Sequence, residues 1–147
     1  MIAPVDRARA IAEEAHAGQI KRKTGEPVLR HVARVAAAVS KEDEKIVAWL
    51  HDVVESAPDW SLDRLRSEGF ADGIIAAVDA LTKREDESHP ALVMRAAGNA
   101  LARSIKEADL RDNLAAARKA GADTAKYEEG LRLLNRRTGT STDERSS

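Results

Sequence analysis

The 147-residue sequence contains no cysteine. That excludes disulfides, thiolate metal ligands and a cysteine nucleophile together, so any chemistry rests on His, Asp and Glu. Aromatic residues are scarce as well, with Trp49, Trp60, Phe70 and Tyr127 the whole set. Strands lean on aromatic and β-branched side chains, whereas the Ala, Leu and Val that dominate here suit packed helices. No apolar run approaches the roughly 20 residues needed to cross a bilayer, and the opening MIAPVDRARAIAEEAH lacks the apolar stretch of a signal peptide. A cytoplasmic protein is the expectation. An excess of one charge is missing too: the formal net charge is -1, which offers no bulk attraction to nucleic acid or a membrane surface, so any phosphate site must be local.

What is present reads as a single all-α domain. Val5, Ala8, Ala12 and Ala15 share a face, predicting a first helix to about His16 that Gly18 stops. GQIKRKTGEP is loop material around a basic patch, with Pro27 placed to open a second helix carrying Leu29, Val32, Val35, Ala36 and Val39. Ser40 can cap a third helix, with stripe Ile46, Val47, Leu50, Val53 and Val54, running to about Glu55. SLDRL is a short capped helix ended by Gly69. Ile74, Ile75, Val78 and Leu81 mark the next, KREDESHP is a solvated connection, and further helices follow over Ala91 to Ala97, Asn99 to Arg118 and around Tyr127, Leu131 and Leu134. The tail RTGTSTDERSS has nothing apolar to bury and is expected to be disordered. The domain is therefore placed at residues 1–137 and the tail at 138–147.

The chemistry concentrates in WLHDVVES. His51 and Asp52 adjoin, and Glu55 lies four and three residues on, so the three can project toward one region. Two ligands do not close a metal site, and an isolated His-Asp pair is more often a salt-bridged helix pair. Two further residues change that balance. His31 lies on the preceding helix, an antiparallel neighbour able to face His51, and Asp109 sits inside an apolar-periodic helix where an acid is costly unless paired or ligating. Two histidines and two inward acids on three helices have no easy packing explanation. Of the other histidines, His16 at the end of the first helix is read as a cap suited to the macrodipole, and His89 beside Pro90 as exposed. Lys106, three residues before Asp109, either pairs with it or, more commonly for a lysine, points to solvent; it is left outside the site.

The order H…HD…D resembles that of the HD-domain metal-dependent phosphohydrolases. AHAGQIKRKTGEPVLRH is similar to the HxGQxRK…GEPYxxHP segment of the RelA/SpoT-like hydrolase branch, AWLHDVVES to its LHDxxED and SIKEADLRDNL to its VKxADLxDNL. GFADGIIAAVDALTKRE fits the pattern between them, so the resemblance extends to about Arg137. It implies an all-helical HD-domain bundle of about seven or eight helices holding one divalent ion, commonly Mn2+ with Zn2+, Fe2+ or Co2+ as alternatives, through His31, His51, Asp52 and Asp109. The implied reaction is removal of the 3′-pyrophosphate of ppGpp by a stand-alone hydrolase. Such a site polarises a phosphoryl oxygen and acidifies bound water, and Glu55 could direct or deprotonate that water. Lys21 and Arg22 could neutralise phosphate charge or simply be a solvated loop, and Asn113, four residues after Asp109, is implied to touch the nucleotide.

Three positions depart from the branch pattern. Val28 replaces the tyrosine of GEPY, Val32 the proline after the first histidine, and Ser56 the acid of the Glu-Asp pair tied to hydrolysis. Serine is neither a base nor a negative charge at neutral pH. The expectations are therefore a metal-dependent phosphohydrolase for ppGpp or for another nucleotide such as NADPH, against a nucleotide-binding regulatory HD domain that turns over weakly or not at all.

Overall fold

A computed structural model describes the backbone of residues 2–146 and the side chains of residues 2–136. The elements in order are α1 (Pro4–Ala15), α2 (Val28–Ala37), α3 (Glu42–Leu50), α4 (Val53–Ser56), α5 (Leu62–Ser67), α6 (Asp72–Leu81), α7 (His89–Ala97), α8 (Ala100–Ala120) and α9 (Ala125–Ser146). Among the described residues there is no strand beyond a single bridge between Ile20 and Pro27. The all-α expectation is met. The tail expected over 138–147 lies outside the residues described with side chains.

Helix ends follow local chemistry. Ser61, Ser88 and Asn99 accept from Arg64, Ala91 and Ala102 backbone N–H groups, which opens α5, α7 and α8. Gly121, at φ 69°, closes α8 in a left-handed conformation that glycine adopts without strain. Ser40 is not the cap of α3; Lys41 holds that position, and its N–H donates to Glu44 Oε1 at 3.1 Å. The Lys45 ammonium turns back to donate to the carbonyls of Ala36 (3.0 Å) and Val39 (2.7 Å), satisfying the end of α2.

The predicted third helix does not run through to Glu55. It breaks at His51–Asp52, where Asp52 takes φ -106° and ψ -2° before α4 begins, the bridge region where active-site residues often sit. This break adds one segment to the expected seven or eight. Its consequence is geometric, because neighbours on an unbroken helix diverge by about 100°, whereas the break lets both side chains face the same space.

Two apolar clusters hold the bundle. The larger gathers Val32 and Val35 of α2, Ile46, Val47 and Leu50 of α3, Ile74, Ile75 and Val78 of α6, and Ala102 and Ile105 of α8. The smaller joins Val93, Leu110, Ala117, Tyr127 and Leu134 from α7, α8 and α9. α8 thus serves both clusters, and Asp109 lies between its two apolar stretches. Each fully buried Leu or Val contributes about 1.5–3 kcal/mol, which is the reservoir that offsets burying polar groups at the seam.

Candidate metal centre

α2 delivers His31, the break after α3 delivers His51 and Asp52, and α8 delivers Asp109. His31, His51 and Asp109 are buried and Asp52 is partly so. His31 Nε2 lies 2.8 Å from Asp109 Oδ1, and His51 Nε2 lies 3.4 Å from the same oxygen and 3.3 Å from Asp52 Oδ2. The two imidazoles meet edge to face with centroids 5.7 Å apart. His31, His51 and Asp52 together form a group that could hold a metal ion, with Asp109 against both histidines.

Both imidazoles are anchored from behind. His51 Nδ1–H donates to the Ala48 carbonyl at 2.6 Å, and His31 Nδ1–H donates to Asp112 Oδ2 at 2.7 Å. With Nδ1 committed, Nε2 of each ring faces the acids. His51 Nε2 is buried with no hydrogen-bond partner, an arrangement that costs about 1–3 kcal/mol unless something is bound there. The residues present therefore fit a cation: two nitrogen donors and two carboxylates, a mixed set suited to manganese, zinc or iron.

Electrostatics agree with the geometry. Burial opposes charge on His51, but Asp52 and then Asp109 outweigh it and push the imidazole up to about 9. His31 is likewise raised, with Asp109 and Asp112 overcoming burial. Burial alone would raise Asp109, yet Lys106 and the two histidines hold it well below the usual carboxylate range. The cluster draws in positive charge from every side.

Several site residues escape sequence reasoning. Lys106 is not solvent-facing: it is buried, and its ammonium donates to Asp109 Oδ2 at 3.0 Å. Asp112 was legible only as a polar residue three positions after Asp109, on the same helical face. His89 is not in a solvated loop; it opens α7, half-buried, with Lys106, Lys126 and Lys23 in electrostatic reach. His16 does end α1 as expected, but it is buried and its Nδ1 lies 2.8 Å from Gln19 Oε1.

The other predicted residues surround this centre. Glu55 is exposed on α4; its Oε1 accepts from the Lys83 backbone N–H at 2.9 Å, and its charge reaches Lys106 and Lys126. Ser56 is exposed, and its carbonyl accepts from Gln19 Nε2 at 3.1 Å. Lys21 donates to Asn113 Oδ1, while Asn113 Nδ2 donates to Asp109 Oδ1 at 3.2 Å. Lys21, Arg22 and Asn113 also line one small cavity of about 140 Å³ together with Lys23, Thr24 and Tyr127. Its aromatic wall, Tyr127, carries the Lys23 ammonium 5.0 Å from the ring centroid.

No family model matches the chain, and no curated protein does. Among solved structures, it superposes on a metazoan ortholog of SpoT, described as hydrolysing ppGpp and playing a role in starvation responses. The TM-score is 0.65 at 22% identity, over 95% of this chain and 97% of that one. The fold is shared. The histidines and acids, distant in sequence, come together because α2, α3 and α8 are mutual neighbours. Among the described residues, no helix is long and apolar enough to cross a membrane.

Proposed function

We propose that this protein is a metal-dependent phosphohydrolase of the HD class acting in the cytoplasm on a phosphorylated nucleotide, ppGpp first and another such as NADPH second. The observation that carries this reading is the convergence of His31, His51, Asp52 and Asp109, with both histidines anchored through Nδ1. These four residues would hold one divalent ion, Mn2+ by preference. When bound, such an ion polarises a phosphoryl oxygen and acidifies water at neutral pH. Glu55, fixed by the Lys83 N–H, is the carboxylate that takes up the water proton. Lys21, Arg22 and Asn113, which line the small cavity, would contact the nucleotide from the side of its phosphates, and the surrounding lysines balance charge spread over the phosphate oxygens.

The test combines metal analysis with a panel of ppGpp, NADPH and related nucleotides. Wild-type protein is expected to carry or take up Mn2+ and to release pyrophosphate or phosphate. In His51→Ala, metal content and turnover fall together, the latter by at least about 1000-fold, given the several kcal/mol a Lewis-acid centre supplies. In Glu55→Gln, metal content is retained and turnover falls by about 100- to 10,000-fold. Metal-free wild-type protein, with no nucleotide in the panel turned over after Mn2+ is added, sinks the reading.

A second reading, a nucleotide-binding regulatory domain, is favoured by one observation: Ser56 places no carboxylate beside Glu55. Tight nucleotide binding without turnover, and turnover appearing in Ser56→Asp, would select it.

A further inference from the structure

Asp112 stands behind His31 in a chain of ionic contacts that the proposed chemistry does not use. Its Oδ2 accepts the His31 Nδ1–H at 2.7 Å. Arg34, one turn after His31 on α2, clamps the same carboxylate with both Nε (2.7 Å to Oδ1) and Nη2 (2.9 Å to Oδ2). The other side of this guanidinium holds Glu26, through Nη2 to Oε1 at 2.6 Å and Nη1 to Oε2 at 3.0 Å. Planar guanidinium groups suit such paired contacts, which set direction as well as energy.

Glu26 belongs to the basic loop. Its carbonyl accepts from the Lys21 N–H at 2.9 Å, and the Gly25 N–H donates to the Lys21 carbonyl at 2.8 Å. The loop that carries Lys21 and Arg22 is thus fastened to the carboxylate behind His31.

We propose that Asp112 is the positioning residue for His31, fixing its Nδ1–H tautomer and ring direction, and that Arg34 with Glu26 locks it in register with the basic loop. The asymmetry between the two histidines makes the role specific. His51 is oriented by a backbone carbonyl, which no substitution removes, whereas His31 depends on a side chain. A carboxylate behind a ligating imidazole also raises its basicity toward a cation, and losing such a partner typically costs 10- to 100-fold in metal affinity. The inference rests on the metal reading of the site, but part of its test does not.

Calorimetric titration of the full chain with Mn2+ is expected to show affinity weakened by about 10- to 100-fold in Asp112→Ala. Asp112→Asn, which keeps an acceptor for Nδ1–H, recovers part of the loss. In the metal-free chain, 15N shifts of neutral His31 report Nδ1–H in wild type and, with Asp109 Oδ1 left 2.8 Å from Nε2 as acceptor, a change to Nε2–H in Asp112→Ala. A folded Asp112→Ala with wild-type Mn2+ affinity and an unchanged tautomer overturns the proposal. If circular dichroism shows that Asp112→Ala does not fold, Arg34→Ala decides. That side chain is 43% exposed, and the variant is expected to weaken Mn2+ binding by a smaller factor; unchanged affinity and tautomer there overturn the proposal equally. Wild-type protein that takes up no Mn2+ defeats the metal reading instead, while the tautomer measurement still judges the hold of Asp112 on His31.

Discussion

His89 is a residue whose surroundings set its charge. Burial, then Lys106, Lys126 and Lys23, outweigh the pull of Asp109 and lower it from 6.5 to about 4, so the folded protein keeps it neutral at pH 7. The sign follows from linkage: below pH 6.5 the unfolded chain takes up a proton that the folded chain refuses. The stability His89 contributes is therefore complete above pH 6.5 and is lost as pH falls to about 4. Denaturant melts between pH 7 and pH 4 are expected to show His89→Gln losing less stability than wild type; parallel slopes would refute this. His51 works in the opposite direction and in another window. Raised to about 9, it contributes stability to the metal-free protein below pH 6.5 that is lost as pH climbs through about 9. At this scale the candidate ligands were legible because each stands in a spaced motif. Lys106 and His89 were misread because a lysine's burial depends on its partner, here Asp109, and a histidine's on three helices packing around it; neither is visible in local periodicity.

Among the elements, the junction of α6 and α7 depends on Arg95. Its Nη1 and Nη2 donate to the Asp79 and Thr82 carbonyls, at 2.9 and 2.8 Å, at the end of α6. Its Nε and Nη2 grip Glu87 at 2.8 and 2.7 Å. One guanidinium satisfies a helix terminus and fastens the connection that leads to His89. Arg95→Ala is expected to cost about 2 kcal/mol, the scale of hydrogen bonds to a charged group, measured by urea unfolding at pH 7. Arg95 also holds Glu87 down to about 2 from an ordinary 4.5, so this contribution is present above pH 4.5 and lost as pH falls to about 2. The variant should lose most of that acid limb, the remainder coming from the Arg84 backbone N–H that also donates to Glu87 Oε1 at 3.0 Å; a limb retained in full would refute the role of Arg95. Most helices could be read from stripes and caps, including the capped SLDRL segment, the stop at Gly69 and the α8 stripe. The break at His51–Asp52 could not, because Val53 and Val54 continue the apolar pattern across it and only tertiary demand on both side chains separates α3 from α4.

At the scale of the whole molecule, the centre is where α2, α3 and α8 meet, so a cation bound there joins three helices. The acids Asp52, Asp109 and Asp112 crowd this seam, and Lys106, Arg34 and the two histidines, both raised by the acids beside them, answer them. A divalent ion bound there would bring a fixed charge that the unfolded chain cannot hold in place, and so would stabilise the folded state by mass action. At 100 times its dissociation constant the increment is about 2.7 kcal/mol. For a chain of this length that corresponds to a rise of about 5–10 °C in Tm, since about 1 kcal/mol moves such domains by about 2–4 °C. Thermal melts with saturating Mn2+ and with a chelator should differ by this amount in wild type and hardly at all in His51→Ala. An equal rise in His51→Ala would place the bound ion elsewhere on the surface and remove the physical reason for burying two histidines and an aspartate in the seam between the two apolar clusters.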